Sequence, residues 1–137
     1  MADVVVEPVE SRSQQKRFLR LPWRIYAADP CWMPPLLHSQ EELLGSRPHP
    51  FHEKSKCRSF LARRGDRDVG RITAIINAGH NERYGEQRGF FGFFESEDDP
   101  AAAQALFGTA TDWLQSQGMV TIRGPVNPSL NYECGLL

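Results

Sequence analysis

Apolar positions along the chain fall into runs of two periods, and the densest lie between Arg71 and Glu95, in RITAIINAGHNERYGEQRGFFGFFE. Two strongly apolar runs, Ile72 to Ile76 and Phe90 to Phe94, are joined there by a polar, Gly-containing segment. The second run is apolar at consecutive positions, which predicts an interior strand covered on both faces by Phe90, Phe91, Phe93 and Phe94. Gly89 and Gly92 leave gaps where a bulge can form or a backbone or ligand can approach closely, although a plain core strand is the simpler reading.

Around this centre the pattern predicts further elements. Val4 to Val9 is β-branched and interrupted by Pro8, which suits an edge strand or a strand end. Ser11 and Gln14 have capping-box spacing ahead of Phe18, Leu21 and Ile25, which repeat at helical intervals. Proline lacks a donor and clashes with the preceding turn, so a break is expected near Leu21, with Pro22 opening a second short helix to about Ala28. Asp29 to Pro35 reads as a rigid loop anchored by Trp32, Leu36 to Leu44 as a helix ended by Gly45, and Ser46 to Lys54 as a loop. In that loop Phe51 and His52 either pack over a pocket or are solvated.

Lys56 to Arg64 and Val69 to Asn77 read as an antiparallel hairpin closed by Gly65-Asp66-Arg67-Asp68. In its second arm Ile72, Ala74 and Ile76 share one face, the core face, and Arg71, Thr73 and Ile75 the other. Ala78 to Gln87 reads as a solvated loop. Pro100 to Gln117 carries the clearest helical stripe, with Asp98 or Asp99 as cap, Pro100 in the first position and Gly118 past the end. Met119 to Ile122 follows as a strand, so the helix makes a right-handed crossover between parallel strands. The remainder, GPVNPSLNYECGLL, reads as loop. The expected fold is a single α+β domain over residues 1–137, a mixed, mostly antiparallel sheet with helices on both faces.

Composition narrows the function classes. A net charge of -1 with no basic stripe argues against nucleic acid. No run approaches the roughly 18 apolar residues of a membrane span, and the start lacks a signal sequence, so a cytoplasmic protein is expected. Cys31, Cys57 and Cys134 are odd in number and form no C-x-x-C pair, which argues against a disulfide framework or a thiolate metal cage. Cys134 as a nucleophile stands against inert packing. His49 and His52 form H-x-x-H without a third ligand, so no metal is expected, and His38 and His80 read as surface residues.

The element order, the Val69-Gly70-Arg71-Ile72 strand start, the Gly89 to Glu95 strand and the helix before Met119 resemble the GNAT acyltransferase superfamily. More closely, GRITAIINAGHNERYGEQRGFFGFFESEDD and DWLQSQGMVTIRGPVNPSLNYECGLL resemble the N-terminal part of longer, poorly characterised bacterial GNAT-like proteins. The resemblance implies an incomplete fold, continued elsewhere by a helix and two strands, so the missing C-terminal part is an expected partner and the strand at Met119 is expected to have an uncovered face.

It also implies acetyl-coenzyme A or another acyl-coenzyme A between splayed strands ending at Glu95 and Val126, with the pyrophosphate on the amides that open helix Pro100 to Gln117. Phe93 and Phe94 would line the cofactor arm and Asn127 would contact it, a turn-forming Asn being the alternative. Glu95 would be the base for the amine of a small-molecule acceptor, against a plain first-turn charge. The family's acid comes from a helix this chain does not contain, and Tyr132 is no motif match. In place of the family's Q/R-x-x-G-x-G/A turn stands Glu95-Ser96-Glu97-Asp98-Asp99-Pro100-Ala101, whose four carboxylates would repel pyrophosphate. Two function classes follow: an acyltransferase-like domain, or a GNAT-shaped interaction module that does not bind coenzyme A. The acidic turn favours the second for this segment.

Overall fold

Alternation along Arg67–Asn77 buries both faces of one strand, because Arg71, Thr73 and Ile75 are as enclosed as Ile72 and Ala74. In the computed structural model, which describes residues 3–34, 40, 41, 44, 55–127, 133 and 134, this strand, β3, is the middle of five. The elements are β1 (Val4–Pro8), α1 (Arg12–Ile25), β2 (Ser55–Arg64), β3, α2 (Ala78–Tyr84), β4 (Arg88–Ser96), α3 (Pro100–Ser116), β5 (Thr121–Arg123), β6 (Val126–Asn127) and β7 (Glu133–Cys134). The sheet order is β1-β2-β3-β4-β5, antiparallel throughout except for β4 beside β5. This is the expected α+β mixed sheet with one parallel crossover. β1 is the expected edge strand, and β5 pairs through Arg88 with Thr121, Gly89 with Ile122 and Phe90 with Arg123.

α3 covers one face. Ala102, Leu106, Ala110 and Leu114 pack on Phe60, Ala62, Ile72 and Ala74, while the rings of Phe91 and Phe94 meet Phe107 at centroid distances of 5.0 and 4.8 Å. The helix sits so close that a Cβ on Gly89 would fall 2.7 Å from Leu114 Cδ2, so glycine is what admits it. Asp99 caps α3 and Pro100 opens it. On the other face α1 places Phe18 against Leu61 and Phe93.

Four sequence expectations are corrected. The helix does not break at Leu21: α1 is continuous with Pro22 inside it, because the Phe18 carbonyl that proline cannot serve is served by Arg71 instead. Ala78–Tyr84 is a helix rather than a loop, since the Asn77 side chain accepts from the His80 amide and Gly85, at φ 62°, closes the end. His80 is accordingly half-buried rather than fully at the surface: it packs edge-on against Phe90 at 5.0 Å and bonds Glu86 at 3.2 Å. The stretch after β5 is not all loop, because β6 and β7 pair as a ribbon, Val126 with Cys134 and Asn127 with Glu133.

The hairpin turn is also tighter than expected, with β3 starting at Arg67, since a bulge after Ala62 lets Arg67 and Asp68 pair with Arg64 and Arg63. Gln40, Glu41 and Leu44 are helical; the rest of Leu36 to Leu44 and Gly45 lie outside the described residues, as do His38, His49, Phe51, His52 and Tyr132. β5 is exposed at each residue, Ile122 at 38% and neighbouring Val120 at 73%, which agrees with the uncovered strand expected there.

Candidate active site at the bulged end of β4

The site is built by one extra residue. Arg71 pairs with Glu95 and Thr73 with Gly92, so Phe93 and Phe94 of β4 both stand opposite Ile72. Phe93 takes φ 53°, in the left-handed region that a bulky side chain rarely adopts. The insertion resets the alternation: Phe90 and Phe93 share the α1 side, and Phe91 and Phe94 share the α3 side. Simple alternation from Phe90 would send Glu95 toward α3. The bulge turns it to the α1 side, across the ladder from Arg71.

Arg71 holds this arrangement from inside the protein. It is 5% exposed, donates from Nε to the Phe93 carbonyl at 2.9 Å and from Nη1 to the Phe18 carbonyl at 2.7 Å. Its guanidinium carbon lies 4.8 Å from the centre of the Phe18 ring. One side chain thus ties the bulge to the proline position of α1. The Phe93 ring packs on Phe18 and Leu61, and the Phe94 ring on Phe107.

Tyr26, which caps the end of α1, donates its hydroxyl to Glu95 Oε2 at 2.5 Å. Burial and that carboxylate push the phenol up to about 12, so it remains a donor at neutral pH. Trp32 stacks on Tyr26 at 5.4 Å and meets Trp23 edge-on at 5.5 Å, so it is the loop anchor expected for Asp29 to Pro35. Neither Tyr26 nor Arg71 was singled out as a site residue from sequence. An Arg in an otherwise apolar strand was the available signal for the second; nothing marked the first.

At the turn before α3 the carboxylates are matched by arginines. Glu97 pairs with Arg67 and, at 3.2 Å, with Arg24. Asp99 accepts from Arg64 Nε at 2.6 Å and Nη2 at 3.1 Å, and from the Ala102 amide at 3.3 Å. The Arg64 guanidinium draws the Asp99 carboxyl down to about 2. Repulsion is therefore largely compensated, but a helix-opening amide that would receive a phosphate already has an acceptor. The residues at this turn do not fit a pyrophosphate.

Beyond Phe90, β4 has no ladder partner on the β5 side among the described residues. A Cβ on Gly124 would lie 2.4 Å from the Phe91 carbonyl oxygen, and Val126 is buried against Phe90 and Ile75. The residues of β4 that follow, including Phe94 and Glu95, run on past this crossing. Asn127 lies in β6, paired with Glu133, and Cys134 in β7, paired with Val126. Among the described residues no group of three or more His, Cys, Asp or Glu could hold a metal. Cys57 is packed on Ile75, Phe90 and Val126, and burial pushes its thiol up to about 12, an inert state. A cleft of about 190 Å³ is lined by Phe18, Leu19, Leu44 and Ser59, and Glu95 does not line it.

The five-stranded, mostly antiparallel sheet with one parallel pair and three helices matches a partial GNAT acyltransferase fold. The tandem GNAT protein from the clavulanic acid biosynthesis pathway superposes with a TM-score of 0.64 at 14% identity, over 90% of this chain and 39% of that one. An aminoglycoside acetyltransferase from an uncultured soil metagenomic sample, in complex with sisomicin, gives 0.60 at 13% identity over 90% and 77%. In sequence the chain is 42% identical over 137 residues to a protein of Caulobacter vibrioides named bacterial ceramide synthase, covering 99% of this chain and 36% of that protein. The chain spans about a third of the length of the curated relatives it matches. No protein-family model matches it. No helix among the described residues is long and apolar enough to cross a membrane.

Proposed function

We propose that the chain is the catalytic-strand portion of an N-acyltransferase in which Glu95 is the general base. The acceptor amine loses its proton to Glu95 and its nitrogen attacks the carbonyl of an acyl thioester. The C–N bond forms, the C–S bond breaks, and the sulfur leaves as thiolate and takes up a proton. Tyr26 holds Oε2 of Glu95 with a hydrogen bond, and Oε1 is the oxygen proposed to meet the acceptor.

The observation that carries this reading is the bulge. It turns Glu95 to the α1 side, across the ladder from Arg71 and within hydrogen-bond reach of Tyr26. The name of the Caulobacter relative supports the same chemistry, because a ceramide is an N-acylated base. Asn127 is proposed to lie along the thioester arm, from its place in the ribbon that follows β5. The poor fit of the turn before α3 means that coenzyme phosphates add little affinity here. Calorimetry with acetyl-coenzyme A and with S-acetylpantetheine tests this: similar, weak binding is expected, and micromolar affinity for the coenzyme alone would overturn it. Formation of an N-acyl product, followed by mass spectrometry at millimolar acyl-coenzyme A, tests the reaction itself.

A further inference from the structure

Three aromatic side chains lead away from the Glu95 carboxylate. Tyr26 is in hydrogen-bond contact with it, Trp32 stacks on Tyr26 with an interplanar angle of 25°, and Trp23 stands at 87° to Trp32. All three are only half-buried, and Met33, the next residue, is 85% exposed. The result is an apolar strip with a carboxylate at one end and solvent at the other.

Anchoring the loop after α1 accounts for the Trp32 stack, but it does not account for the carboxylate at its foot or for the apolar surface left open beyond it. A ligand that satisfies both ends has a cation for Glu95 and an apolar body for the rings. Ammonium groups gain further from aromatic faces, tryptophan above all. Nearby positive charge does not defeat this. Arg71 is enclosed and donates to two carbonyls, and Arg24 is directed to Glu97. The negative groups facing Tyr26 are Glu95 and Asp29.

We infer that Trp23, Tyr26, Trp32 and Met33 form the acceptor wall, and that the acceptor is a primary amine borne on an aliphatic chain. This rests on the reading of Glu95 as the base that meets the amine. The ammonium approaches Glu95 and the chain lies along Trp32 toward Met33. Sugar amines, whose hydroxyls would be desolvated against the rings, are selected against.

Calorimetry on the 137-residue chain separates the parts of this inference, with octylamine, butylamine and octanol as probes. Octylamine is expected to bind at least tenfold more tightly than either of the others. Trp32→Ala and Glu95→Gln should each lose at least tenfold, while Trp32→Phe, which keeps a ring in the stack, should retain most of the affinity. Far-UV circular dichroism of each variant shows whether it is folded. Octanol binding as well as octylamine would overturn the carboxylate end, and a folded Trp32→Ala with full affinity would overturn the wall. Acyl transfer to octylamine is read separately. Binding without transfer would refute Glu95 as a base but leave the wall standing; transfer that Trp32→Ala leaves unchanged would refute the wall alone.

Discussion

Arg71 Nη1 donates at 2.7 Å to the carbonyl oxygen of Phe18, the acceptor that Pro22 leaves without its helical N–H. The same guanidinium reaches the Phe93 carbonyl at the bulge. A defect in the helix and a defect in the strand are therefore satisfied by one side chain, and Tyr26 and Glu95, which follow them in sequence, are brought together.

Replacing Arg71 by Met removes the donor to two buried carbonyls and should cost about 3 kcal/mol in urea unfolding. Pro22→Ala restores an N–H to Phe18, so in the double variant the loss from Arg71→Met should be smaller by about 1 kcal/mol. Strictly additive losses would show that the two defects are not coupled.

Acid stability should depend on Asp99. Its folded pKa is about 2, below the ordinary 3.8, through hydrogen bonding to Arg64, so its contribution is present above pH 4 and is lost as pH falls through 2. Asp99→Asn retains a helix cap but removes the charge. Denaturation midpoints measured from pH 5 to pH 2 should therefore fall less steeply in the variant, and parallel curves would contradict the assignment.

Tyr26 gives the opposite dependence. Its folded pKa is raised to about 12 from 10.0, so its contribution is present below pH 10 and is lost as pH rises through 12. Phenolate absorbance should show a late-titrating component that Tyr26→Phe removes. If the same component persists in the variant, the Tyr26 assignment is wrong.

How much of this was legible in the chain depends on the range of the interactions. The Ser11 and Gln14 box and the Asp99-Pro100 helix start are local signals and appeared where expected, and the Gly65 turn closed two residues early. Gly92 marked a gap where a bulge can form, but the inserted residue is set by pairing with Arg71 and Thr73 of another strand, which no local pattern shows. Glu95, Phe93 and Phe94 entered as candidates through the family resemblance, not through the spacing of the phenylalanines. Pro22 misled, because the remedy for its missing donor is Arg71, a residue 53 positions from Phe18. The acidic turn misled in part for the same reason: Arg24, Arg64 and Arg67 come from other elements, and no local pattern shows that they converge on it.

That convergence sharpens the expectation for the turn. Replacing Glu97 and Asp98 by Gly removes two carboxylates and frees Arg24 and Arg67 from Glu97, so binding of acetyl-coenzyme A should strengthen by roughly tenfold at low ionic strength. The gain should shrink in 1 M salt, where exposed charges are screened over about 3 Å. Calorimetry at the two ionic strengths checks this, and a gain that is insensitive to salt would point to backbone freedom rather than charge.

The most direct test is the rate of N-acyl product formation from an acyl thioester and an amine, compared between the unaltered chain and Glu95→Gln. Glutamine keeps the shape and an acceptor for Tyr26 but cannot take the proton. A loss in kcat of roughly 10²-fold to 10⁴-fold is expected, together with a raised KM for the amine, whose ammonium no longer meets a carboxylate. Equal rates in the two proteins, or no product from the unaltered chain at millimolar donor, would contradict it.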